Sequence, residues 1–420
     1  MSKDNMNSSD HPAGMVDAAR LDSRIEALGR IGAYSPTGVD RQALTPADAQ
    51  GQALLVEWAT EIGMQAQTDA IGNLFLRLPG TDPDAAPVMA GSHIDTQPTG
   101  GKYDGAYGVL AALEAAHAIK ASGLVHRHSI EVVAWMNEEG SRFAPGMSGS
   151  SVYVGARDLD ETLAVTDAQG VTIAEALADV RARMPVLPMR GLRSPAAAYI
   201  EPHIEQGPVL EAAGLSVGVV TAMQGKLTFR VTVNGEAAHA GTVPLSQRKD
   251  ALLAAVRCVD TMSRRFADPD DVLRLTFGRF DVTPSAPSVV ASQVVFSIDI
   301  RHPDTAHMQA LGSQVLEICE SVCGPCTAVV EPLSEAPSLE FHQTIRRQLA
   351  ESASVLGIGT LELPSAAGHD SRYMSDICPT GMLFIRCRDG QTHNDLEYAS
   401  PSDMADGARV LAHTMYALAR

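Results

Sequence analysis

The stretch EVVAWMNEEGSRF, residues Glu131 to Phe143, decides how this chain is read. Val132, Val133, Ala134, Trp135 and Met136 form an unbroken apolar run, the pattern of a short strand buried on both faces of a sheet. The run ends on Glu138 and Glu139. Two adjacent carboxylates at the mouth of a core strand repel each other and resist desolvation, so the fold must supply something that compensates them.

Outward from that strand, apolar spacing and capping residues mark the neighbouring elements. A helix is predicted over 16–31 and a second from Thr45, as N-cap, with Pro46 at its first position, to Gly63. MQAQTD and NLFLRLPG read as a strand pair around Ile71-Gly72-Asn73, APVMAGSHIDT as a third strand, and the Ala-rich run from Gly105 to Ala121 as a helix. MLFIRC is a later strand and 401–419 a closing helix. This alternation predicts an α/β domain, a central mixed sheet flanked by helices. Between them the texture changes to strand, strand, helix (Leu245 to Phe266), strand (272–282), strand (288–301), helix (Thr305 to Val322), strand. That order predicts a separate α+β sandwich inserted into the first domain. The expected division is 15–213 with 331–420, an insert at 214–330, and a flexible tail at 1–14.

With 420 residues, 45% hydrophobic and 20% charged, the chain is a globular protein large enough for two domains. A formal net charge of -18 argues against a nucleic-acid backbone as partner, because that binding rests on phosphate neutralisation by Lys and Arg. No apolar run approaches the roughly 18 residues of a membrane span, and the start MSKDNMNSSDHPAG has no apolar signal region. A soluble, cytoplasmic protein is expected, and six cysteines without a disulfide framework suit a reducing compartment. Three of them, Cys319, Cys323 and Cys326, lie in CESVCGPC. The spacing is open to a redox or iron-sulfur protein as an alternative class, but the helical run before it places these cysteines at a helix C-terminus. A redox thiolate needs the N-terminus, so a structural role is expected.

The chemistry concentrates at strand ends. His93, Asp104, Glu138, Glu139, His203 in EPHIEQG and His393 in GQTHNDLEY all fall at or just after predicted strands. Parallel strands bring their carboxyl ends to one rim, where ligands bind. Asp95, two residues after His93 and hence on the same face of an extended chain, is placed to accept the second ring N–H of that histidine. Imidazoles with carboxylates are a ligand set for zinc, manganese, cobalt or nickel, and there are more of them than one ion needs. Two divalent ions per chain are expected, zinc first among them.

The motifs GSHIDTQPTGGKYDGAYGVLAALE, NEEGSRF, EPHIEQGPVLE, HAGTVPLSQRKDAL, DIRHP, AAGHDS and THNDLEY, spread from near residue 90 to near 400, resemble the N-carbamoyl-L-amino acid amidohydrolase, β-ureidopropionase and allantoate amidohydrolase group of the di-metal aminoacylase/carboxypeptidase superfamily. The resemblance implies that Asp104 bridges two ions, with His93 and His203 on one and Glu139 and His393 on the other, and that Glu138 is the general base. It implies that the insert is a dimerisation or lid domain whose His239 reaches the neighbouring subunit's active site in a homodimer. Gln206, His369, Arg301 and His239 would contact an N-carbamoyl amino acid, cleaved to the amino acid, carbon dioxide and ammonia. An N-acyl amino acid, a dipeptide, ureidoglycolate or allantoate are the alternative substrates. Two departures stand out: Ser288 where the group has asparagine, and Arg386-Cys387-Arg388 where it has Pro-Ser. By the resemblance Ser288 would be a shorter donor at the substrate carboxylate and the two arginines extra cations near the mouth, and together they predict an altered or more acidic substrate.

Overall fold

A computed structural model describes residues 11–420. Most of the expected tail lies outside the described residues; within it, Pro12–Met15 form a 3-10 turn that buries Pro12 and Ala13. The chain forms two compact units, one of residues to Thr221 with Phe341–Arg420, the other Ala222–Glu340. The first crossover falls later than residue 214 because the strand Val217–Met223 pairs antiparallel, through Val217–Val220, with Thr380–Ile385 of the main sheet.

In the larger unit the sheet runs Gln65–Thr68, Leu74–Leu78, Ile130–Trp135, Val88–His93, Ala198–Ile204, Thr380–Ile385, Val217–Met223. The four strands from Ile130–Trp135 to Thr380–Ile385 are mutually parallel, so their carboxyl ends share one rim. All four are buried at every position. The unbroken apolar runs follow from cover on both faces. Val132, Ala90 and Ile200 pack with the helices Ala106–Ser122 and Pro401–Ala419. Val133, Trp135, Met89 and Tyr199 face the opposite layer, with Tyr153, Val154 and Met374 of the short helices Ser148–Val154 and Ser371–Met374.

Local sequence explains the helix boundaries. The Thr45 hydroxyl accepts the Asp48 N–H and Pro46 opens the helix Pro46–Glu61. Ser400 does the same for Asp403 and the helix Pro401–Ala419. The helix Ala106–Ser122 starts from Gly105, whose φ of 62° is the left-handed region, and a Cβ there would lie 2.3 Å from His93 Nε2. Only glycine admits that approach.

The smaller unit has an antiparallel sheet in the order Phe280–Thr283, Gln293–His302, Gly225–Asn234, Thr327–Ala336. Burial alternates along Gln293–His302, so one face carries the core. The helix expected over 245–266 begins later, as Ala251–Arg265, because the Asp250 carboxylate caps the N–H groups of Leu252 and Leu253. The single helix expected over 305–322 is two, Thr305–Gly312 and Val315–Val322. The strand expected over 272–282 is also two, Arg274–Thr276 and Phe280–Thr283.

Candidate metal centre

At the shared rim, His93 ends its strand with Nδ1 2.8 Å from the Asp95 main-chain oxygen, and His203 has Nδ1 2.9 Å from the Ile204 oxygen. A ring nitrogen facing a carbonyl carries a proton, so in both rings Nε2 is the nitrogen turned toward the site. His203 Nε2 is 3.2 Å from Asp104 Oδ1 and His93 Nε2 is 3.8 Å from the same oxygen. The other oxygen, Asp104 Oδ2, is 3.2 Å from His393 Nε2, which in turn is 3.6 Å from Glu139 Oε2. Two ligand groups result, His93-Asp104-His203 and Asp104-Glu139-His393, each with its donor atoms within 4.8 Å, sharing Asp104. Glu138 Oε2 lies 3.6 Å from His93 Nε2.

A left-handed residue, Asn137 at φ 54°, turns the chain between the strand and these glutamates. Its side chain donates to Phe143 O at 2.7 Å and to Ser148 Oγ at 2.9 Å. Gln206 and His393, at φ 56° and 58°, are in the same rare region. Backbone strain of this kind gathers where side-chain placement is constrained by function.

Charge at the rim is strongly perturbed. Burial, then the Asp104 charge, pushes Glu139 up to about 8. Burial, with Asp370 and Glu139 next, drives Glu138 well above the carboxylate range. Burial takes His93 down to about 4, which keeps it neutral and able to ligate. Burial also opposes ionisation of Asp104, but hydrogen bonds from His203 and His393 outweigh it and hold that carboxyl well below its usual value. His393 is raised to about 9, chiefly by its hydrogen bond to Asp104. Among the described residues, the only ion-pair partners of Asp104, Glu138 and Glu139 are imidazoles. A cluster in which Glu138 and Glu139 are raised, Asp104 stays ionised and the buried His93 ring stays neutral is a donor set fitted to divalent cations.

Asp95 departs from its expected contact. Its main-chain oxygen makes the hydrogen bond to His93, with the carboxylate farther from Nδ1 at 3.7 Å, and the carboxylate accepts the Glu138 and Glu139 N–H groups at 3.2 Å each. The same-face rule holds only inside a strand, and this strand stops at His93. Gln206 donates to Asp104 Oδ2 at 2.9 Å. His369 is buried edge-on against the His203 ring at 4.5 Å, with Nε2 3.0 Å from Ser365 Oγ. The two arginines expected near the mouth are engaged elsewhere. Arg386 grips Asp403 with Nε–Oδ2 at 3.1 Å and Nη2–Oδ1 at 3.0 Å, and Arg388 stacks 4.6 Å from the Tyr398 ring centroid. Both line a cavity of about 310 Å³ with Glu211, Ser400 and Asp403.

In the smaller unit His239 and Val289 are register partners, and Ala240 N–H donates to Ser288 O at 3.0 Å, which sets the two sequence candidates side by side. His239 is exposed. Arg301 forks onto Asp299 at 3.0 and 3.2 Å. Cys319, Cys323 and Cys326 are buried at and beyond the end of the helix Val315–Val322. Their thiols are all raised, Cys319 first by its hydrogen bond to Cys258 and the other two by burial. Among the described residues no cysteine joins a metal-ligand group, so the redox or cluster alternative finds no support.

Sequence reasoning missed three buried carboxylates inside motifs it had quoted. Glu201 accepts from Ser92 Oγ at 2.9 Å and Ser371 N–H at 2.7 Å. Asp370 accepts from Ser150 Oγ. Glu397 accepts the N–H groups of Tyr103 and Asp104. The signal for Glu201 is an acidic residue inside an otherwise apolar strand, whereas Asp370 and Glu397 sit in polar loop motifs that offer no such contrast.

Known proteins carry the same architecture. A solved hydantoinase/carbamoylase family amidase from Burkholderia multivorans superposes with a TM-score of 0.87 at 40% identity, over 96% of this chain and 98% of that one. The N-carbamoyl-L-amino-acid amidohydrolase of Rhizobium meliloti is 35% identical over 412 residues, 95% of this chain and 96% of that protein. The allantoate amidohydrolase of Bacillus subtilis is 33% identical, over 94% and 96% respectively. The family described as Peptidase family M20/M25/M40 matches residues 89–417, and the chain belongs to that family.

Proposed function

We propose that this chain is a di-metal amidohydrolase that cleaves the ureido C–N bond of an N-carbamoyl L-amino acid. The observation that carries the reading is the split of the Asp104 carboxylate, one oxygen toward His93 and His203 and the other toward His393, with Glu138 beside the first group. His93, Asp104 and His203 would hold one ion, and Asp104, Glu139 and His393 the other. Bound there, divalent ions supply the positive charge that acidifies water and polarises a carbonyl oxygen. Zinc and manganese both suit imidazole with carboxylate.

Glu138 does the proton work. Its carboxylate, stripped of water by burial, takes a proton from the attacking water and delivers it to the departing amino-acid nitrogen. Water adds to the ureido carbon, the C–N bond to the amino acid breaks, and the released carbamic acid decomposes to carbon dioxide and ammonia. The relatives named for carbamoyl amino acids and for allantoate support the ureido group as the common target.

The chain acts as a homodimer in this reading, with His239 donating to the developing oxyanion across the interface and Arg301 gripping the substrate carboxylate. The helix Ala251–Arg265 supports it by exposing Leu252, Leu253 and Val256, an apolar stripe that a second copy would cover. Six free, buried cysteines suit a cytoplasmic setting.

A panel of N-carbamoyl, N-acetyl and N-formyl amino acids and allantoate, assayed for ammonia and free amine with added zinc, manganese, cobalt or nickel, tests the substrate. Ammonia released together with free amino acid is expected from the carbamoyl series; hydrolysis of none refutes the assignment. Mixing inactive Glu138→Gln and His239→Ala proteins tests the dimer, because one intact composite site should reappear. No recovered activity after subunit exchange removes the shared-site reading.

A further inference from the structure

Glu397 has no part in the chemistry above, yet it ties together the segments that hold the second ligand group. The residue is 2% exposed. Its Oε1 accepts the Tyr103 N–H at 2.8 Å and the Asp104 N–H at 3.0 Å, and its Oε2 accepts the Thr392 hydroxyl at 3.1 Å. Thr392 Oγ1 is also 2.9 Å from Asp104 Oδ2 and immediately precedes His393. Among the described residues Glu397 makes no ion pair, so these donors alone offset its desolvation. The approach is close enough to dictate the loop sequence, since a Cβ at Gly101 would lie 2.5 Å from Glu397 Oε1.

The two ligand groups differ in how their histidines are held. His93 and His203 sit on buried strands of the sheet. His393 stands on a loop, with its side chain 48% exposed and its backbone at φ 58°. Loop contacts fix it relative to Asp104: Gln206 Nε2 touches the Asp104 carboxylate and Thr392 at 2.9 and 3.4 Å, and the Glu397 carboxylate holds the Asp104 main chain and Thr392 together.

We propose that Glu397 is a positioning residue: by gripping the Tyr103 and Asp104 amides with one oxygen and Thr392 with the other, it sets the Asp104 carboxylate against His393 and so governs the divalent-ion affinity of the Asp104-Glu139-His393 group. The proposal rests on the di-metal reading. Its effect falls mainly on that group, because the other group, although it shares Asp104, has both of its histidines on buried strands.

The test is calorimetric titration of the metal-free full chain with Mn²⁺ alone, together with the electron paramagnetic resonance spectrum of the loaded protein. In Glu397→Ala, binding of the weaker ion is expected to fall about 10- to 100-fold, the range for groups supporting a metal ligand, with the tighter ion changed by less than about threefold. The spin-coupled signal of a carboxylate-bridged pair gives way to that of an isolated ion. Glu397→Gln keeps an oxygen that accepts both amides and should recover most of the loss, while Thr392→Val should weaken the same step several-fold. Equal loss at both steps in parallel with a lowered melting temperature, or no change in any variant, overturns the proposal. Should Glu397→Ala not fold, Thr392→Val decides, and an unaltered second step in it overturns the proposal. A wild-type chain that binds fewer than two ions removes the di-metal reading itself, and this proposal with it; two ions in wild type with unaltered variants removes only the role of Glu397.

Discussion

The strand Ile130–Trp135 carries buried carboxylates near both of its ends, and the chain treats them in opposite ways. Near the amino end Glu131 is fully buried between two guanidiniums, Arg190 Nη1 at 2.7 Å and Arg77 Nε at 2.8 Å, with Arg190 also stacked 4.0 Å from the Phe75 ring centroid. Beyond the carboxyl end Glu138 and Glu139 have only imidazoles as ion-pair partners among the described residues, with the neutral Gln97 amide donating to Glu139 at 2.6 Å. A carboxylate that serves the fold is neutralised from within the chain by permanent cations; one that serves chemistry is left for a charge from outside. Glu131 is therefore a control for the two glutamates that follow the strand.

The strongest way to break that contrast is to neutralise one charge at each end. Glu138→Gln should lower kcat by about 10²–10⁴-fold, the range for a lost general base, while metal analysis still finds two ions per chain. Ions lost along with rate would show Glu138 to be a ligand rather than a base. At the other end, Glu131→Ala leaves a buried Arg190 unpaired and should cost about 3–5 kcal/mol in chemical denaturation, with metal content unchanged in the folded fraction. If Glu131→Ala also stripped metal, the two ends would not be independent and the contrast would fail.

Much of this arrangement was legible beforehand. The apolar run, the capped helix at Thr45-Pro46, and the strand-end residues His93, His203, Glu138 and Glu139 were readable because a doubly covered parallel sheet imposes both composition and a common rim. The Asp95 contact was misread because alternation ends where the strand does. Glu201, Asp370 and Glu397 were passed over because their partners are hydroxyls and main-chain amides far away in sequence, which leave no periodic trace. The breaks within 305–322 and 272–282 lie in the smaller unit, where half-exposed elements tolerate polar residues and blur the boundaries.

A subtler way to sharpen the contrast uses pH. Glu139, held at about 8 by burial and the Asp104 charge, has a folded pKa above the roughly 4.3 of an unfolded glutamate. A raised carboxyl stabilises the fold fully below the unfolded value, and that contribution is lost as pH rises through the folded one. The chelator-treated chain should therefore lose melting temperature between about pH 4.5 and 8. Glu139→Gln should flatten the decline and bind one ion instead of two, and added zinc or manganese should restore the wild-type chain at the alkaline end. A metal-free chain equally stable at both pH values would mean that the rim is not strained by its own charge.

The smallest expected effect concerns Arg386, a cation that the sequence placed at the substrate mouth, at the carboxyl end of the parallel strand Thr380–Ile385, with two strands between it and Ile130–Trp135 in the same sheet. Its guanidinium forks onto Asp403, in the first turn of the helix Pro401–Ala419, which makes it a counterpart of Arg77 and Arg190 rather than of the open rim. Arg386→Ala should cost about 1–2 kcal/mol of stability, the worth of a partly exposed charged hydrogen bond, and leave KM for an N-carbamoyl amino acid within about twofold. A tenfold rise in KM with unchanged stability would return Arg386 to the substrate. Otherwise a cation beside the rim is already spoken for by its own carboxylate, and the rim's charge stays free for the ions.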